Sequence, residues 1–122
     1  MLTPTDTLKR YLISIALLLF VDMFWLSTVG QLAVKMTEKI QGSPVIFRYG
    51  AAAVVYLAMA YLLSQATSAG NAFMIGATTY AVYDFTSYAL LKDYDWRIAI
   101  ADTLWGGVLF MLVHLALKGM GM

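Results

Sequence analysis

Polar and apolar positions alternate in long blocks along this chain. Four stretches are almost wholly apolar: about Tyr11–Gly30, Val45–Ser64, Ala72–Leu91 and Arg97–Leu117. Each is close to the roughly 20 residues that a helix needs to cross a bilayer core about 30 Å thick. Backbone groups cannot stay unpaired in lipid, so each stretch is expected to be helical. The connections differ. Gln31–Ser43 sets Leu32, Met36 and Ile40 four apart, with Lys35, Glu38 and Lys39 between them. That spacing predicts a short helix lying at the interface, stopped by Gly42 and Pro44. Gln65–Asn71 is short and polar, and Lys92–Trp96 is short, charged and aromatic, so both are expected to be tight turns. The expected fold is all-α, a single domain over residues 1–122. It is an integral membrane four-helix bundle with a short interfacial helical extension after the first span.

Composition narrows the class. Of 122 residues, 61% are hydrophobic and 12% charged, against about 25% charged in an ordinary soluble domain. This argues against a soluble enzyme and against a disordered chain, which would be polar and charge-rich. A net charge of +1 gives no footprint for nucleic acid. With no Cys, thiolate metal sites and disulfides are excluded. Lys9 and Arg10 precede an apolar run as in a signal peptide, but the run is long and carries Asp22, so it is read as a retained helix. Lys35, Lys39, Arg48, Lys92 and Arg97 outnumber Lys9, Arg10 and Lys118, which leans the first and third connections toward the cytoplasm.

The informative residues are the acids inside the spans, Asp22, Asp84 and Asp102. Each costs at least about 2.5 kcal/mol near a helix centre on insertion scales, and acids so placed usually face the bundle interior. At about 1.5 Å per residue, Asp22 lies roughly 2 Å past the middle of its span and Asp84 roughly 4 Å past. Asp102 lies roughly 8 Å before the middle of a span running the other way. All three therefore fall in the half of the membrane nearer the first and third connections. Arg48 and Arg97 begin spans on that side and are the expected charge partners.

Two of the acids share a pattern: Asp22-Met-Phe-Trp25 and Asp102-Thr-Leu-Trp105 both read D-x-x-W. Three residues apart, acid and indole share a helical face. The indole N–H can donate to a carboxylate, or the ring can wall a pocket. Tyr80, Asp84, Ser87 and Tyr88 share a face of the third span, with Tyr83 and Thr86 beside them. The expected polar pocket comprises Asp22, Trp25, Tyr80, Tyr83, Asp84, Thr86, Ser87, Asp102 and Trp105. The plainer account makes the acids interhelix glue, and makes Trp25, Trp105 and the small residues Gly50, Gly76, Gly106 and Gly107 packing sites. His114, about 18 Å along the helix from Asp102, is read as an interfacial residue rather than a partner of that acid. No phosphate loop, zinc motif or nucleophile motif occurs. No metal and no cofactor are expected.

The residues YDFTSYALLKDYDWRIAIADTLWGG, together with VDMFWL in the first span, resemble domain-of-unknown-function family 2177. Its members are small four-span membrane proteins. The resemblance implies that fold. It carries the family's motif positions onto Asp22, Trp25, Tyr83, Asp84, Thr86, Asp102, Trp105 and Gly106. Ser87 departs from the family pattern, which has Asn there. The resemblance implies no activity.

Three function classes fit. The first is a small proton-coupled transporter or ion-conducting protein, with proton or small cation as cargo and a homodimer to enclose the path. The second is a structural or assembly subunit of a membrane complex, with the acids as glue. The third is an enzyme or accessory acting on a lipid headgroup, with paired carboxylates as acid and base. The lipid bilayer is the partner common to all three, and an enzyme is the least favoured.

Overall fold

The computed structural model describes residues 3–122. Five helices form in chain order: α1 (Pro4–Leu26), α2 (Val29–Gln41), α3 (Tyr49–Ser64), α4 (Ala69–Leu90) and α5 (Trp96–Gly119). The chain is all-helical among the described residues.

Local chemistry sets the helix ends. Thr3 and Asp6 form a reciprocal capping box that starts α1 with Pro4 in its first turn. The helix therefore begins about two turns before the apolar stretch does. After Leu26 the chain bends by 72° into α2. This short helix occupies the position expected for the interfacial extension. Gly42 ends it at φ 73°, a left-handed conformation that glycine adopts without Cβ strain. Pro44 follows, and Val45–Arg48 is not helical, so α3 starts at Tyr49, later than the apolar stretch predicts. Glu38 Oε2 accepts from Val45 N at 2.9 Å, and Gln41 Nε2 donates to the carbonyls of Ser43 and Pro44, which ties this segment to α2. Ser68 caps α4 by accepting from Asn71 N, and Asp95 caps α5 by accepting from Arg97 N.

Helices α4 and α5 form the tightest pair. A Cβ on Gly76 would strike the carbonyl oxygen of Gly106 and would lie 2.7 Å from Phe110. Absence of side chains at Gly76 and Gly106 is what lets the two backbones touch. Next, α5 packs on α1 and α1 on α3, while α3 meets α4 only lightly.

The apolar core contains Leu18, Met59, Ala60, Leu63, Ala72, Leu109, Phe110, Val113 and Leu117. In α1, α4 and α5 these residues lie on the terminal side of the acids. Leu18 precedes Asp22, Ala72 precedes Asp84, and Leu109 to Leu117 follow Asp102. The interior is thus divided into an apolar half near the termini and a polar half near the α1–α2 bend and the α4–α5 turn. Outside, large apolar side chains such as Phe20 (78% exposed), Val54, Val82 and Leu104 face outward. Acids inside and bulky apolar groups outside invert the soluble arrangement. By length and composition α5 alone suffices to cross a membrane; α1 and α2 suffice together across their bend, and α3 is a shorter apolar helix.

Candidate functional site

The two D-x-x-W motifs do not pair within their own helices. Trp25 Nε1 donates to Asp102 Oδ1 at 2.9 Å, and Trp105 Nε1 donates to Asp22 Oδ1 at 2.9 Å. Each indole serves the acid of the other helix. The reason is register: α1 and α5 run antiparallel, so a motif that reads acid-then-indole on one meets indole-then-acid on the other. The rings stack between the two bonds, with centroids 5.1 Å apart and planes 3° from parallel.

Asp22 is 5% exposed. Its second oxygen accepts from Tyr56 OH at 2.5 Å, so both carboxylate oxygens are bonded and α3 is tied into the same cluster. Asp84 is 1% exposed. Its Oδ1 accepts from Tyr94 OH at 3.0 Å, across the α4–α5 turn. Its Oδ2 makes no hydrogen bond, nor does Thr103 Oγ1, and both atoms are buried. Asp84 lies against Asp102 and Thr103. Tyr80 packs its ring over Gly106 and stands within electrostatic reach of Asp22, Asp84 and Asp102. The acids are therefore one cluster with two kinds of member. Asp22 is saturated by neutral donors, whereas Asp84 and Asp102 adjoin each other with bonding capacity to spare.

The α4–α5 turn closes one end of the cluster, where Tyr94 meets Asp84. Burial, and the Asp84 carboxyl beside it, push the Tyr94 phenol above its ordinary value. Helix α2 reaches this turn: Met36 Sδ accepts from Asp95 N at 3.1 Å. The hydrophobic stripe expected on α2 is thus partly spent on covering the polar half of the bundle.

Several expected site residues stand elsewhere. Arg97 forks onto Asp95, with Nη2 2.9 Å from Oδ2, and does not pair with an acid of the cluster. Its side chain holds the Asp95 carboxyl below the ordinary range. Arg48 caps α3 at the surface and makes no side-chain cap bond. Both arginines belong to helix starts, where solvent is a cheaper partner than a buried acid. Thr86 lies on the outer face of α4, lining a shallow groove with Val82, Phe85 and Ala89. Two residues from Asp84, it is turned about 200° away around the helix. Tyr83 is 67% exposed and sits at the rim of the cluster, beside Ser87 and within electrostatic reach of Asp84 and Asp102. His114 is buried at the far end of α5, away from the acids.

Tyr56 and Tyr94 join the cluster without having been singled out in the sequence. Tyr94 had a weak signal, as the aromatic in a charged turn. Tyr56 had none, since a lone tyrosine in an apolar span is indistinguishable from a packing residue until α3 is placed against α1. Among the described residues no group of three His, Asp or Glu side chains is arranged to hold a metal ion.

The family model described as "Predicted membrane protein (DUF2177)" matches residues 7–117. The chain belongs to that family. Membership makes it a membrane protein, and the matched region includes every residue of the carboxyl–indole cluster. No curated protein and no solved structure matches the chain.

Proposed function

We propose that this member of the family is a small multi-pass protein in which α1, α3, α4 and α5 span the membrane and α2 lies along one interface. We further propose that the Asp84–Asp102 pair is the proton-exchanging centre of a proton-coupled transporter or ion-conducting protein. The observation that carries the reading is Asp84: almost fully buried, one oxygen unpartnered, and beside a second carboxyl. A group used only as glue would have its oxygens satisfied, as those of Asp22 are. Two adjoining carboxyls in an apolar setting can pass a proton between themselves or yield it to an arriving cation. Tyr94 reaches from the α4–α5 turn to Asp84, so access runs from that side. The apolar core closes the other half, and the light α3–α4 packing is the side on which a second copy would complete a path.

The test is flux through protein reconstituted in vesicles with an entrapped pH dye. Under an imposed potential, Asp84→Asn should abolish proton movement while leaving the melting temperature close to wild type. Asp22→Asn should lower the melting temperature instead. Unchanged flux in Asp84→Asn removes the transport reading.

An assembly subunit is the second reading, favoured by the reciprocal indole bonds and the saturation of Asp22. It expects no flux from the wild-type protein and stable co-purification with a larger membrane complex.

A further inference from the structure

The end of the bundle opposite the acids carries a second buried polar group that the transport reading does not use. The register that pairs Asp22 with Trp105 and Trp25 with Asp102 continues along the inward stripe of α1 through Leu18, Ser14 and Arg10. Carried to the terminal end, it sets Arg10 opposite Leu117, between His114 and Lys118 of α5. Arg10 and Lys118 both stand within electrostatic reach of His114. His114 is 4% exposed and Ser14 3%. Arg10 Nε is buried and has no hydrogen-bond partner.

No acid among the described residues forms an ion pair with these cations. The only ion pair among the described residues is Arg97–Asp95, at the other end. Asp6, one turn before Arg10, is occupied by the Thr3 cap. A half-buried guanidinium with an orphaned donor, beside an imidazole and an ammonium, is an arrangement that an anion stabilises. Phosphate oxygens accept from all three donor types, and arginine offers them a planar fork. About 18 Å along α5 from Asp102, the cluster sits at the depth of lipid headgroups.

We propose that Arg10, His114 and Lys118 form a binding site for a phosphate-bearing anion, supplied by the headgroup of an anionic phospholipid. Long Lys and Arg side chains at a helix end reach such headgroups readily, and juxtamembrane basic residues favour anionic over zwitterionic lipid.

The test is native mass spectrometry and thermal melting of the full chain in detergent. The added probes are phosphatidylglycerol, phosphatidylcholine or inorganic phosphate. Phosphatidylglycerol should bind one per chain and raise the melting temperature, with phosphatidylcholine at least about tenfold weaker, a difference of about 1.4 kcal/mol. Arg10→Gln should remove that preference, and Lys118→Gln should weaken it. Lys39→Gln, on α2 at the other end, should leave it intact. If Arg10→Gln fails to fold, Lys118→Gln and His114→Gln carry the test. Protection by inorganic phosphate as strong as by lipid would keep the phosphate chemistry and overturn the lipid source. Equal binding of the two lipids, or equal preference in wild type and the Arg10 and Lys118 variants, would overturn the site.

Discussion

Trp25 and Trp105 stack face to face at 5.1 Å, and each donates its indole N–H to the aspartate three residues before the other. The two helices that carry them are the first and last of the chain, so this contact joins the two ends of the sequence. It also neutralises nothing: both donors are uncharged. The buried carboxyls are held here by hydrogen bonds from neutral indole and phenol groups.

If that exchange fixes the α1–α5 register, removing one donor while keeping a ring should weaken the fold measurably. Trp105→Phe and Trp25→Phe are each expected to cost about 1–3 kcal/mol, the range for orphaning a buried charged-group acceptor. The double variant should cost less than the two together, because both bonds position the same pair of helices. Melting curves in detergent read this directly; single variants that melt with wild type would show that the exchange is not structural.

Close backbone approach of α4 and α5 makes a second expectation. Gly76→Ala places a methyl against the Gly106 carbonyl, and Gly107→Ala places one 2.7 Å from the Phe73 ring. Each should destabilise by about 1–3 kcal/mol, as overpacking does. Gly50→Ala, in the first turn of α3 with nothing within 4 Å of the new methyl, should be neutral or stabilising by up to about 1 kcal/mol. Equal melting temperatures for all three would contradict the packing described.

Alkaline pH should act through Tyr94. Burial first, and Asp84 second, raise its phenol above the ordinary value. The folded state therefore holds that proton more tightly than the unfolded chain does. The stability linked to it is fully present below the ordinary phenol value of about 10 and is lost as pH rises through the raised one. Tyr94→Phe should show a shallower loss of melting temperature above about pH 10 than wild type. Parallel curves would mean that the Tyr94–Asp84 bond contributes nothing to the pH response.

Topology can be read from a chain that has no cysteine of its own. Ser43→Cys and Asp93→Cys, in the α2–α3 and α4–α5 connections, should react with an impermeant maleimide from one side of the membrane. Thr67→Cys, in the α3–α4 connection, should react only from the other. Labelling of all three from one side would exclude four spans.

The sequence by itself determined the helical class, the short helix after the first span and the family. Apolar run length and helix-stopping residues act over a few positions, so Gly42 and Pro44 could be read where they stand. It also put Asp22, Asp84 and Asp102 in one half of the interior, because depth along a helix is nearly a count of residues. Rotation about the helix axis and the partner across the gap are not local quantities. Only the tertiary structure decided that the indoles exchange acids, that Tyr56 closes on Asp22, and that Thr86 turns outward. It also sent Arg97 to Asp95, two residues away, instead of inward to an acid at similar depth. The physical reason is that a side chain's partner is set by the packing of whole helices. That packing depends on where glycines such as Gly76 and Gly106 let two backbones meet.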